Sequence, residues 1–359
     1  MFNNLSLGQG LGVGVAGPHL NWLLGWDRRR EITVSPTYVD ANLTDFPLLV
    51  PISSSVLDSG FLSSLRFTDS EGTLIPFEWT GYIDLGYSGA FVKVPTLDAT
   101  SGATLYMYYA ASESSASDPS TVWADYAVAA HFRGFASGQR ESANSLALTL
   151  GGSASAGSDG VAMNGGYISI GGIGAVQALL SGENGLTYSA TCRDLSPGSS
   201  VDDYLAADKT STPNYWFVWS YGTTAWGVHY SPNGDFADSA KVIKTSGMPG
   251  GGNDYHFAFT YGCYDGSNPA TIELFTNGVS GGTGTSANTD QTLIYGTIAV
   301  PEAIGYAQGT SRSINATISE YRIRKGAASS AWLKFEHANL MNTGNEITVG
   351  DETGWFPNM

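Results

Sequence analysis

The chain has 359 residues, a formal net charge of −16 and only 13% charged residues. That balance excludes a binder of nucleic-acid backbone, which needs clustered Lys and Arg, and 42% hydrophobic residues exclude a disordered chain. The length admits two domains, and 12% aromatic residues beside 46 Gly suit β-sheet coated by neutral polar groups rather than a helical bundle.

The chain opens with an apolar stretch containing "LGQGLGVGVAG". Residues 1–18 carry no Lys or Arg, and Gly8, Gly10, Gly12, Gly14 and Gly17 interrupt the apolar run. A secretory signal wants a basic start and an unbroken apolar segment. A membrane span wants about 20 apolar residues. Neither pattern is met, so no membrane contact is expected. Glycine at alternate positions implies an extended strand with one nearly bare face, which another backbone can approach closely. Residues 1–20 therefore read as an extended docking arm that adds to a partner as a strand, with Leu7, Leu11, Val13 and Val15 as its contact residues. The alternative is a frayed terminus. Arg28, Arg29 and Arg30, the only basic cluster, read as a solvated strand entry.

Residues 21–115 contain short alternating runs: "REITV", "FPLLVPI", "LRFTD", "LIPFEWTGYI", "GAFVKVPTL" and "ATLYMYYA". Each is rich in β-branched and aromatic residues and bounded by Gly, Pro, Asp or Ser, which predicts a small antiparallel sandwich. Trp26, Phe46, Phe67, Phe77, Trp79 and Tyr106 read as core or inter-sheet aromatics. The Ser-, Ala- and Pro-rich stretch ending near residue 124 reads as a linker over 116–124. Residues 125–350 again alternate strands with Gly-, Asn- and Ser-rich turns, enough for two larger sheets in a jelly roll. Residues 331–339 form the one predicted helix there, and residues 351–359 a tail.

Two families are resembled along the way. The blocks "WDRRREITV", "LTDFPLLVPI", "LRFTDSEGTLIPFEWTGY", "GAFVKVPTL" and "ATLYMYYAASESSASDPSTVW" resemble, in order, the domain of unknown function DUF2341 over residues 26–123. "NDYHFAFTYGCYDGSNPATIELFTNGVSGG" and "ISEYRIRKGAASSAWLKFEHANLMN" resemble the paired strands and closing helix of laminin-G-like or concanavalin A-like domains. Asp265–Gly266 and Asn277–Gly278 would be hairpin turns there. Tyr255 stands at that family's usual Trp place and Ser319 where an Asp is common. The fold class these readings predict is all-β: an arm, a small sandwich, then a larger jelly roll with one short C-terminal helix.

No catalytic residues are expected. Laminarinase-like relatives of the second fold place acids at alternating positions of one strand. Here "TIELF" has only Glu273 and "ISEYRI" only Glu320, and Glu320 beside Arg322 reads as a structural ion pair. The five His lie in different segments without a GxSxG context, and His256 reads as a packed residue. The glycine runs lack the helix and Lys of a phosphate site. Calcium is the one cofactor considered, with Asp202, Asp203 and Asp208 as candidate ligands on a rim loop; turn-forming, solubilising acids are the alternative. Trp216, Trp219 and Trp226 in "NYWFVWSYGTTAWGVHY" are the candidate glycan-stacking residues; one face of that strand must be core, and packing of the other against a neighbouring subunit is the alternative to stacking. Cys192 and Cys263 could pair across a sheet or remain plain thiols.

The expectation for function combines these readings. The chain is expected to be a non-enzymatic structural protein of a phage virion, a head decoration or a tail fibre or spike component. It would be held through residues 1–18 to other virion proteins, and its lectin-like domain would contact host glycans. A homo-oligomer is expected, with no heptad or collagen-like repeat to specify its order. A bacterial surface lectin or adhesin is the alternative, and a glycan-active enzyme a disfavoured third.

Overall fold

The computed structural model describes residues 22–53, 64–80, 87–112, 114, 116–136, 139–196, 203–207, 217–221, 225–230, 242–247, 250–286, 289–293, 302–305, 314–341 and 345–354. The first strands are β1 (Trp26–Val34), β2 (Leu43–Ser53), β3 (Arg66–Asp69), β4 (Leu74–Ile75), β5 (Phe77–Trp79), β6 (Tyr87–Leu97) and β7 (Ala103–Ala111). A one-turn helix α1 (Pro119–Val122) leads to β8 (Tyr126–His131), β9 (Leu148–Gly151), β10 (Ser155–Gly157), β11 (Gly160–Ala162) and β12 (Tyr167–Ile170). Helix α2 (Ala175–Leu180) precedes β13 (Gly185–Ser196), β14 (Asp203–Ala207), β15 (Phe217–Tyr221), β16 (Ala225–Tyr230) and β17 (Val242–Gly247). Then come β18 (Asn253–Gly262), β19 (Ala270–Thr276), β20 (Val279–Ser286), β21 (Glu302–Ile304), β22 (Asn315–Lys325), helix α3 (Ser330–Met341) and β23 (Ile347–Gly354).

The architecture is the expected all-β one, with a small sandwich and a larger one. The small sandwich packs a five-stranded sheet, β23-β1-β7-β3-β4, on a three-stranded sheet, β2-β6-β5. Its core holds Ile32, Phe46, Leu48, Val50, Phe67, Phe77, Val92 and Met107. The larger sandwich pairs a sheet of order β10-β11-β22-β13-β18-β19-β20, with β8 also on β22, against a sheet of order β17-β16-β15-β14-β21-β12-β9. Its core includes Tyr188, Trp226, Phe257, Phe259 and Tyr321. The β19–β20 hairpin turns at Asn277 and Gly278, both at positive φ as expected. A Cβ on Gly278 would lie 2.8 Å from the Lys334 backbone, so glycine also admits α3 against this turn.

Two boundaries differ from the sequence reading. The C-terminal segment returns to the small sandwich: β23 runs antiparallel beside β1, pairing Ile347 with Val34 and Gly354 with Arg28. Residues 351–354 are thus sheet rather than tail. Helix α3 seats Trp332, Leu333 and Phe335 in the small sandwich's core, against Phe46. The linker is also anchored. Asp118 caps α1 by accepting a hydrogen bond from the Thr121 amide, its own amide donates to the Phe77 carbonyl, and Trp123 is fully buried.

The two sandwiches pack as four layers. One face of the three-stranded sheet meets the five-stranded sheet. The other presents Phe91 and, with α3, lies on the eight-stranded sheet, where Phe91 joins Trp123, Tyr126, Ala129 and Leu340. Residues 185–192 of β13 are therefore buried on both faces.

Candidate functional site

Beside that apolar cluster the layer between the sandwiches carries a run of polar side chains, and strand alternation puts them there. In β13, Tyr188, Ala190 and Cys192 point into the large core, which leaves Thr187, Ser189 and Thr191 on the seam. The register sets Arg324, Arg322 and Glu320 of β22 beside those three residues, and Thr260, Ala258 and His256 of β18 on their other side. Glu320 is also the register partner of His131 at the end of β8. Glu78 arrives from β5, in the three-stranded sheet, and Glu336 from α3.

These side chains form one buried ionic chain. His131 Nδ1 lies 3.0 and 2.9 Å from the two carboxylate oxygens of Glu320, and its Nε2 lies 3.2 Å from Glu78 Oε2. The Trp123 indole donates to Glu78 Oε2 at 2.5 Å, and the Ser142 hydroxyl donates to Glu78 Oε1. Arg322 donates to Glu320 at 3.1 Å and to Glu336 at 3.1 Å, and Ser189 donates to Glu336. The Arg322 guanidinium also sits 4.8 Å from the Phe91 ring centre and 4.9 Å from that of Trp123. His131, Glu320, Arg322 and Glu336 are each at most 6% exposed.

Burial opposes charge at each group, and the partners decide the outcome. For His131, burial pulls the imidazolium down, but Glu320 and then Glu78 push its pKa up to about 9. For Glu78, burial pushes the carboxyl up, but His131 and the donors His131, Ser142 and Trp123 hold it below the usual range. For Glu336, burial prevails over Arg322 and Ser189, and its carboxyl is raised. Arg322 stays charged: burial disfavours the cation, and Glu320 and Glu336 more than offset it. In this ionic network the Ser142 hydroxyl meets a carboxylate rather than an imidazole, so that pair is not the base-to-hydroxyl contact of a nucleophilic dyad. The network's geometry fits joining, and the Glu320–Arg322 ion pair is present as the sequence suggested.

A second cluster lies on the opposite, outermost face of the small sandwich. Gly25, at φ +91°, turns the chain so that Trp22 covers Tyr108, with ring centres 5.8 Å apart. The Trp22 indole donates to the Trp26 carbonyl at 2.7 Å. The Arg29 guanidinium stands 4.6 Å from the Trp22 ring centre and 4.1 Å from that of Tyr106, and donates to the Tyr108 hydroxyl. Arg28 pairs with Glu352, while Arg30 donates to the Tyr109 hydroxyl and to the Gly350 carbonyl. The three arginines are thus clamps on β7 and β23 and on the root of the arm, rather than a merely solvated entry. Tyr106 lies on this outer face, not in the core.

The other sequence candidates fare differently. Trp226 is 1% exposed and packs edge-on to Phe257, so its ring belongs to the core and is closed to a stacked sugar. Trp219 is the register partner of core-facing Val228, and its side chain lies outside the described residues, as does Trp216. Asp203 begins β14 opposite Tyr221. Asp202, Asp208 and the arm residues Leu7, Leu11, Val13 and Val15 lie outside the described residues. Among the described residues no group of three or more His, Cys, Asp or Glu could hold a metal, and no helix is long and apolar enough to cross a membrane. Cys192 and Cys263 are both free thiols.

Comparison with known proteins adds a family match at the seam. The family described as "Domain of unknown function (DUF2341)" matches residues 62–145. That segment starts later and ends later than the resemblance read from the sequence, and it contains Glu78, Trp123, His131 and Ser142. No curated protein matches the sequence. Among solved structures, domain 4 of a GH43 extracellular arabinanase from Geobacillus stearothermophilus, solved with arabinotriose, is 18% identical. It covers 58% of this chain and 97% of its own, with a TM-score of 0.42. A Trypanosoma rangeli sialidase is 13% identical over 65% of this chain and 35% of its own, with a TM-score of 0.43. A botulinum neurotoxin type C structure, whose cell entry depends on two ganglioside molecules, is 10% identical over 59% of this chain and 51% of its own, with a TM-score of 0.42. Likeness at this level says nothing of what this chain binds.

Proposed function

We propose that the chain is a non-catalytic structural protein of a bacteriophage particle, a head decoration or a tail fibre or spike component. Residues 1–18 fasten it to neighbouring virion proteins, and the large sandwich is displayed for contact with host glycans. The observation that carries this reading is the clamp of Trp22 on Arg29 and Tyr108. Trp22, on the outermost layer of the small sandwich and at the far end of the stack from the seven-stranded sheet, supports an anchor at that end and a displayed surface at the other. The period-two glycines of the arm suit close backbone pairing with a partner strand.

The test is deletion of residues 1–18. The truncated protein is expected to fold and remain soluble, yet be missing from purified particles that carry the full-length chain. Normal incorporation of the truncated protein would refute the anchoring role. A glycan array probed with the full-length protein tests the displayed surface. Binding to cell-wall glycans without association with particles would favour a bacterial surface adhesin. Release of reducing sugar from polysaccharides would replace the non-catalytic reading with an enzymatic one.

A further inference from the structure

The ionic seam contains one joint weaker than the rest. An ionised carboxylate only accepts hydrogen bonds. His131 faces a carboxylate at each ring nitrogen, Glu320 at Nδ1 and Glu78 at Nε2, so both contacts are hydrogen bonds only when both nitrogens carry protons. The charged groups around this ring come from three elements: Glu78 from β5, Glu320 and Arg322 from β22, and Glu336 from α3. Tyr126, on the same strand as His131, stacks edge-on to Trp123. Phe91 of β6 covers the imidazole, its ring centre 4.8 Å away.

The partners of the two carboxylates are unequal. Glu320 keeps Arg322 whatever the state of His131. Glu78 has the imidazolium as its cationic partner, with the neutral donors Trp123 and Ser142 beside it. Loss of the proton therefore strips the charge partner from Glu78 alone, and Glu78 is the contact that the three-stranded sheet contributes to this ionic chain. A buried carboxylate without a cation is costly, and moving the small sheet outward rehydrates it.

We propose that the Glu78–His131–Glu320 bridge is a latch between the two sandwiches, closed while His131 is protonated and released when it loses that proton. The sign follows from linkage: the folded-state pKa of His131 is raised, so its contribution is complete below the unfolded value of 6.5 and is lost as pH rises through about 9.

The test uses the full-length protein. The Trp123 fluorescence is isolated as the difference between wild type and Trp123→Phe, and small-angle scattering reports the separation of the sandwiches. Raising the pH from about 7 to about 10 should give a reversible step in both signals, within about one pH unit of the His131 value, while far-UV circular dichroism is unchanged. His131→Gln should give the released signals at neutral pH and no step. Signals that stay flat across that range, or a step that persists in His131→Gln, would overturn the latch. If His131→Gln does not fold, Glu78→Gln decides: removing one carboxylate should move the step down by about one pH unit or more, and an unmoved midpoint counts against the proposal.

Discussion

Replacing Phe335 with alanine is the sharpest test of where the C-terminal helix belongs. Phe335 is fully buried on α3, and its ring meets Phe46 of β2 edge-on with centres 5.0 Å apart. Removing it forfeits about 2–3 kcal/mol of apolar burial, and the cavity left behind adds about 2 kcal/mol. The expected loss is therefore about 4 kcal/mol, a large part of the ~5–15 kcal/mol that holds a typical domain. The neighbouring Lys334 provides the control. Its ammonium pairs with Asp40 at 2.7 Å, but both side chains are about half exposed, so Lys334→Ala should cost no more than about 1 kcal/mol. Urea unfolding gives both numbers, and hydrogen exchange locates the effect. Amides of β1 and β2 should exchange faster in Phe335→Ala and unchanged in Lys334→Ala. A loss below about 1 kcal/mol in Phe335→Ala, or equal losses in the two variants, would refute the placement of α3 in the small core.

Two further outcomes follow from the seam. Arg322→Met leaves Glu320 and Glu336 without their shared cation in a buried layer, and urea unfolding should show a loss of about 3–5 kcal/mol, partly regained when Glu320→Gln is added. His256 is fully buried on β18 with its ring near-parallel to His337, centres 5.9 Å apart. Burial, then His337 and Arg322, hold its folded pKa well below the ordinary imidazole value of 6.5. Its neutral state therefore favours the fold above that value, and stability is lost as pH falls below it. The melting temperature should drop between about pH 6.5 and 5, and His256→Phe, which cannot take a proton, should flatten that decline.

Much of the fold could be read from period-two alternation. Runs such as "FPLLVPI" and "ATLYMYYA" are strands, the Asn277–Gly278 turn takes positive φ, and the helix near residue 331 is present. The seam was harder to see. Glu78 in "PFEWT" and His131 at the end of "YAVAAH" each interrupt an apolar run, which is the local sign of a polar residue facing a second buried surface. Their pairing joins residues 53 apart, and that of His131 with Glu320 joins residues 189 apart, so no spacing rule connects them. Trp123 and Asp118 looked like linker because a one-turn helix has no room for a period. Trp226 looked exposed because an aromatic-rich strand does not say which of its faces is covered.

What the sequence by itself determined is the class of element: short, sparsely charged, alternating segments whose side chains demand paired sheets with largely neutral coats. The tertiary structure alone decided that β23 closes the small sandwich from the far end of the chain and that α3 fills its core. It also decided that acids and bases from β5, β8, β22 and α3 neutralise one another in a buried layer. The physical reason is range. Alternation is a property of neighbouring residues and is written locally, whereas the burial of a charge is tolerable only beside its counter-charge, and that neighbour is supplied by the packing of strands remote in the chain.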